Sequence, residues 1–297
     1  RPLPQQSPWT LDLSLSLAMN KDVIAKLPNE ARQIINSDAK IINRLGSNAL
    51  ANYLLVNKGV YATDEDVPVN PATGERMKAA NNKNNGYVYM QAGDPIWVDV
   101  NGDYIIDDKD KVVVGNSQPR LTGGFNANLR YKSFSINTNF SFTIKRDIIN
   151  KALADRFAAY GNPLSKDLNG SGAITPIEAF DFWKEDHIYA KYPNPFDYIR
   201  GGTADHQVNF FRPDQTLFME DGSFLKINGV SISYVLPKKV LDFLRVERVQ
   251  LNASVNNIYT FSKYSGVNPE NVNSLGYDVS GGYPNSRNYT MGVSIDF

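Results

Sequence analysis

The sequence predicts an all-β protein: a portion of an antiparallel transmembrane β-barrel with long extracellular loops and short periplasmic turns. Three observations predict it. Several segments of roughly 10–14 residues alternate polar and apolar side chains, longer than the ~5–6 residues of soluble strands and long enough for a tilted membrane crossing. Their polar faces carry mainly Ser, Thr, Asn and Gln rather than the Lys and Glu of a soluble sheet, which suits a wet, crowded lumen. The connections between them alternate short and long, as in outer-membrane barrels.

The first strand is WTLDLSLSLAM, with Trp9, Leu11, Leu13, Leu15, Leu17 and Met19 on one face and Thr10, Asp12, Ser14, Ser16 and Ala18 on the other. LTGGFNANLRY sets Leu121, Phe125, Ala127, Leu129 and Tyr131 against Thr122, Asn126, Asn128 and Arg130. A tight turn at Lys132 leads into SFSINTNFSFTI, where Phe134, Ile136, Phe140, Phe142 and Ile144 form the apolar side, so these two strands form a hairpin. Residues 223–237 alternate, and Asn228-Gly229 marks a bulge where the phase changes. RVQLNASVNNIYTF and the closing NYTMGVSIDF complete the set, with weaker strands expected over 49–61 and 87–90. The phase before Ala49 stays open, because 20–48 could hold further strands or a helical excursion.

The totals are consistent with this reading and exclude others. The 297 residues carry 31 Lys plus Arg against 31 Asp plus Glu, so no basic excess points to nucleic acid. With no cysteine, disulfides, thiolate metal sites and thiol catalysis are excluded. No run approaches the ~18 apolar residues of a membrane helix, a test that a barrel escapes by alternating its lipid-facing positions. The opening RPLPQQSPWT has no signal-peptide pattern, so either a mature chain starts here or an upstream part is missing.

Reading back from Phe297 as a periplasmic end, the loops 62–119, 145–215 and 262–286 fall outside the cell. The first contains DVNGDYIIDDKD, whose oxygen donors have the spacing of a calcium-binding loop. Asp99, Asn101 and Asp103 would offer side-chain oxygens, Ile105 its backbone carbonyl, Asp107 a direct or water-mediated contact and Asp110 the closing carboxylate. Tyr104 stands where the sharp turn favours glycine, and Asp110 is shorter than the usual closing Glu. The two readings are a structural Ca2+ clip and an acidic Asn-Gly turn without metal.

In the second loop a helix is expected over 175–185, with Pro176 at its first position and Thr175 as its cap. Phe180, Phe182, Trp183, Tyr189, Tyr192, Phe196 and Tyr198 crowd this loop, and packing of the loop on itself weighs ahead of contact with a partner or substrate. His187 and His206 lie at no ligand spacing and read as surface residues. Gly201-Gly202 and Gly281-Gly282 lack the helix that a phosphate-binding loop needs. No Gly-x-Ser-x-Gly elbow or Ser/His/Asp arrangement stands out, so the chain is not expected to be an enzyme.

Four blocks, in order, resemble the C-terminal barrel portion of the SusC/RagA-type TonB-dependent transporters. They are DVNGDYIIDDKDKVVVGNSQPRLTGGFNANLRYKSFSINTNFSF, MEDGSFLKINGVSISYVLPKK, NNIYTFSKYSGVNPE and the closing YPNSRNYTMGVSIDF with its terminal Phe297. The resemblance covers about residues 50–297. It implies a place in the Gram-negative outer membrane, in a barrel of about 22 strands closed from outside by a SusD-like surface lipoprotein. It further implies import of an oligosaccharide or peptide, driven by TonB acting on a plug domain that this sequence does not contain. Eight or nine strands are expected here, with the plug, the N-terminal strands and the remaining part of the barrel supplied from elsewhere. The alternative class is a calcium-stabilised extracellular β-sandwich acting as an adhesin or glycan-binding module. The two differ in whether Leu13, Leu15, Phe140, Phe142, Val293 and Ile295 face lipid or a second sheet.

Overall fold

A computed structural model of the chain describes residues 8–35, 41–49, 51–81, 86–160, 177–196, 208–278 and 285–297. Six long strands form one sheet: β1 (Trp9–Met19), β2 (Leu121–Tyr131), β3 (Phe134–Ile144), β4 (Phe224–Val235), β5 (Arg248–Ser262) and β6 (Asn288–Asp296). Each pairs antiparallel with the next in sequence, an up-and-down meander with β1 and β6 at its edges. The eleven residues of β1, at about 3.4 Å each and tilted by about 45°, rise about 25 Å, the height of a barrel's apolar band.

The register carries the sequence pattern across the whole sheet. Leu13, Ala127, Thr138, Val230, Val255 and Tyr289 line up on one face, as do Leu15, Phe125, Phe140, Ile227 and Tyr259. The opposite face aligns Asp12, Asn128, Asn137, Ser231, Ser254 and Thr290. Because side chains alternate, this register is the one that keeps every apolar set on the same side. At Asn228 the pairing shifts against both neighbours, and the apolar positions of β4 pass from odd to even numbers. Across that bulge Asn257 of β5 takes a left-handed φ of 57°, and Ser141 Oγ donates to Asn228 Oδ1 at 3.1 Å.

No second sheet covers the apolar face among the described residues. Leu15 and Val293 each leave 62% of their surface exposed, and Phe140 and Phe142 are only half-buried by their strand neighbours. That is a lipid-facing wall and not the inside of a sandwich. At the short-turn end Trp9, Tyr131, Phe134 and Tyr234 form an aromatic row, Trp9 stacked on Tyr131 at 4.1 Å between ring centroids. Such rows mark the headgroup level. One close approach in the wall depends on a missing side chain. A Cβ at Gly123 would lie 2.4 Å from the Phe142 ring and 2.5 Å from the carbonyl oxygen of Ser16.

Leu15→Arg, near the middle of β1, is expected to destabilise the assembled barrel by about 2–4 kcal/mol, whereas Asn137→Arg on the lumen face should be tolerated. Urea unfolding in bilayers measures both, and equal costs would contradict the assignment of faces.

The strand count differs from the sequence expectation of eight or nine, since six strands cross among the described residues. The segments at Ala51–Leu54, Asn57–Val60 and Gly86–Tyr89 are strands of four residues each, about 13 Å long, too short to span. With the other described residues of 20–120, 145–223 and 263–287 they form a folded module at one end of the sheet. At the other end the described connections are Lys132-Ser133, with Lys132 at φ 51°, and 236–247, which carries a short helix. Among the described residues no helix is long and apolar enough to cross a membrane.

The module is built around two apolar clusters. One joins Leu55, Tyr61, Met77, Met90, Trp97 and Ile106 of the first loop to Val208 and Phe210 of the second. The other gathers Leu54 from the first loop, Ile149, Phe157, Phe182, Tyr192, Phe211 and Phe218 from the second, and Tyr277 from the third. Phe157 sits on helix α1 (Lys151–Tyr160). Asn150 caps that helix by accepting the Leu153 N–H at 3.0 Å, and its amide donates to Glu220 and Ser265, tying in the third loop.

Candidate functional site

The acidic loop lies in the module and turns its side-chain oxygens onto its own backbone. Asp99 accepts the N–H of Gly102 at 2.7 Å and of Tyr104 at 2.8 Å. Asn101 and Asp103 each accept the N–H two residues on, at 2.9 and 2.8 Å. Gly102 (φ 76°) and Tyr104 (φ 63°) carry the chain through the turn, so the tyrosine adopts the left-handed backbone that favours glycine. Ile105 and Ile106 then form a two-residue strand beside Lys78–Asn81. Asp107 caps the following turn through the Lys109 N–H, and buried Asp110 closes the loop by accepting the N–H groups of Val100 and Asp107. Burial raises the carboxyl of Asp110 above its ordinary value, against those hydrogen bonds.

Asp99, Asn101, Asp103, Ile105, Asp107 and Asp110 are thus brought into one compact loop, with the hard oxygen donors that Ca2+ takes. Among the described residues, however, no group of three or more His, Asp or Glu side chains stands in a metal-ligating array. The donor chemistry fits a calcium ion, while the carboxylates as placed are spent on backbone amides.

Beside this loop is an ionic clamp that sequence reasoning missed. Lys111, its side chain 1% exposed, donates to Asp108 at 2.9 Å and to Asp214 at 2.7 Å. Arg212 grips both oxygens of Asp214 at 2.6 Å. Burial opposes the charge on Asp214, but hydrogen bonds and charge from Arg212 and Lys111 prevail and hold its carboxyl well below the usual range. Next to it Gln215 accepts from Trp97 Nε1 at 2.8 Å and donates to the Phe210 carbonyl at 2.7 Å. No spacing in the sequence links residue 111 to residue 214. The only trace was charge set within apolar neighbours, as in KVVV after Asp110.

The aromatic loop packs mainly on itself, as its composition suggested. Phe180, Phe182 and Tyr192 surround Phe157, and Trp183 donates to the Ala62 carbonyl at 3.2 Å. Tyr189 and Phe196 remain exposed, and Tyr198 lies outside the described residues. The helix expected over 175–185 is not formed: Ile177–Ala179 make a single 3-10 turn, and Thr175 and Pro176 lie outside the described residues. Backbone bridges Phe182 to Tyr192 and Lys184 to His187 take its place, because Phe182 and Tyr192 must both reach the Phe157 cluster. His187 is exposed and meets the Asp181 carboxylate at 2.7 Å. His206 and the Gly201-Gly202 and Gly281-Gly282 pairs lie outside the described residues.

The lumen face of the sheet is a second candidate surface. A shallow concavity of about 480 Å3 runs over Asn128, Asn137, Ser231, Ser233, Asn252 and Thr290. Small neutral hydrogen-bonding groups of this kind offer many weak contacts to a polar solute, and Arg130 adds one cationic group to the lining.

A sheet with an apolar outer face, a polar inner face, two open edges and a folded module over one end defines the class: a segment of a transmembrane β-barrel. No family model matches the chain. It is 26% identical over 216 residues to "TonB-dependent receptor P3" of Formosa agariphila, covering 69% of this chain and 19% of that receptor. It is 26% identical over 225 residues to "TonB-dependent receptor SusC" of Bacteroides thetaiotaomicron, covering 72% and 19%. The RagAB peptide transporter structure superposes on 99% of this chain and 28% of its own, with a TM-score of 0.66 at 20% identity. The chain is thus similar to TonB-dependent receptors of the SusC type in sequence and to the RagAB transporter barrel in fold, and it spans about a fifth of the length of the curated relatives it matches.

Proposed function

We propose that residues 1–297 form the C-terminal part of an outer-membrane importer that takes up a glycan or peptide nutrient under TonB control. The observation that carries this reading is the apolar-out, polar-in sheet whose edge strands β1 and β6 await neighbours. Open edges of this length are stable in a membrane only when paired, so further barrel strands flank them. The folded module sits where a SusD-like surface lipoprotein would close the pore, and TonB would act through a plug domain supplied outside these residues. The chain would line the path and do no covalent chemistry. In cells, the complete transporter should support uptake of a labelled oligopeptide or oligosaccharide only when TonB is present. Uptake undiminished without TonB would count against the proposal.

Calcium belongs to the same reading as a structural clip on the Asp99–Asp110 loop, supported by its oxygen-donor spacing and its turn at Tyr104. With Ca2+ present the loop should resist protease, and chelation should speed cleavage between residues 99 and 110. Cleavage at one rate in both conditions would remove the metal from the account.

A further inference from the structure

The connection between β4 and β5 carries helix α2 (Lys238–Leu244), which the barrel function described above does not use. At about 100° per residue, Val240, Phe243 and Leu244 fall within about 100° of one another. Leu241 extends this stripe at its edge, while Lys238, Asp242 and Arg245 occupy the opposite side. The stripe is not packed against the protein. Phe243 is 86% exposed, Leu244 49% and Val240 38%, whereas Leu241 is half-buried. An amphipathic helix of this kind normally buries its apolar side, so something outside the described residues covers it.

Its position says what. The helix starts directly after the short-turn end of β4, level with the aromatic row of Trp9, Tyr131, Phe134 and Tyr234. The Leu236 N–H donates to the Val249 carbonyl at 3.0 Å, and the Glu247 N–H to the Asp296 carbonyl at 2.9 Å, so the connection stays against the rim. Val249 shares the outward register of Leu251 and Ala253, yet it is only 5% exposed, while its partner Ile295 is 48% exposed. Val249 is therefore covered by the chain itself where the connection meets the outward face at the rim. Lys238, Lys239 and Arg245 add cationic groups that suit phosphate headgroups, and lysine stems can lie along apolar surface with their ammonium groups in water.

We propose that α2 is an interfacial anchor that lays Val240, Phe243 and Leu244 into the periplasmic leaflet, with its basic residues on phospholipid phosphates. This rests on the barrel reading, and the test separates the two. The chain has no cysteine, so single thiols can be placed at Leu13, Val240, Asp242 and Phe243 in the assembled transporter, any other thiols being replaced. Each is spin-labelled in bilayers of phosphatidylethanolamine and phosphatidylglycerol. Accessibility to oxygen and to an aqueous nickel chelate is then measured.

The labels at 240 and 243 should match the lipid-exposed label at 13 and exceed 242 several-fold in their oxygen-to-nickel ratio. Lipid exposure at 13 with aqueous values at 240 and 243 would overturn the anchor and leave the barrel intact. Labels at 240 and 243 shielded from both reagents would mean that a protein surface covers the helix, which also overturns it. Aqueous values at all four sites would overturn the barrel and the anchor together.

Discussion

Replacing Phe157 with alanine is expected to cost the extracellular module about 3–5 kcal/mol, the range for emptying a buried aromatic site. Phe157 is fully buried, and its ring lies 4.7–4.8 Å from Phe180, Phe182 and Tyr192, mostly edge to face, with Phe211 at 5.6 Å. These neighbours come from separate stretches of the second loop, so the cavity would loosen contacts that no strand holds in place. The barrel sheet does not share this cluster and should survive. Whole cells should therefore show rapid protease cleavage in 145–223, while the extracted barrel keeps its heat-dependent gel mobility. Cleavage at the parental rate would mean that the module does not hang on this ring.

The second large effect is expected at Asp214. Asp214→Asn keeps the shape and removes the charge, leaving the ammonium of Lys111 and the guanidinium of Arg212 without their buried counter-ion. Breaking a buried pair in this way costs about 3–5 kcal/mol. Replacing Lys111 with methionine in the same chain should recover part of it, because one of the two cations that lost their buried counter-ion goes too.

The pH dependence follows from the lowered carboxyl. A group more acidic in the folded state contributes stability above its unfolded value, about 3.9 for Asp, and loses it as pH falls towards the folded value. The module should hold its full stability at neutral pH and weaken progressively below about pH 4. The Asp214→Asn variant should lack that acid-sensitive contribution. Melting curves of the extracted transporter between neutral pH and acid would check both, and parallel curves for parent and variant would contradict the linkage.

The barrel strands were readable because each reports on its own surroundings. WTLDLSLSLAM and NYTMGVSIDF alternate between lipid and lumen residue by residue, and Asn228-Gly229 announced its own bulge. The module was not readable in this way. Its strands are two to four residues long, too short for a period to show, and its contacts join residues far apart. Lys111 to Asp214 and Trp97 to Gln215 each span about a hundred positions, and short-range patterns do not reach that far. Over 177–185 the expected helix gave way for the same reason: local propensity was outweighed by the packing of Phe182 and Tyr192 on Phe157.

The acidic loop falls between these cases. Its oxygen donors and the strained position at Tyr104 could be found by spacing alone. The engagement of those oxygens with backbone amides, and the clamp through Asp108 and Lys111 to Arg212 and Asp214, needed the fold. By itself, then, the sequence determined which residues meet lipid and which meet the lumen, since a strand's two faces follow from a period of two. Only the tertiary structure decided that, among the described residues, six strands cross, three loops form one module and α2 is left with an uncovered apolar side. Those outcomes depend on long-range burial and pairing, where distant segments compete for the same surface.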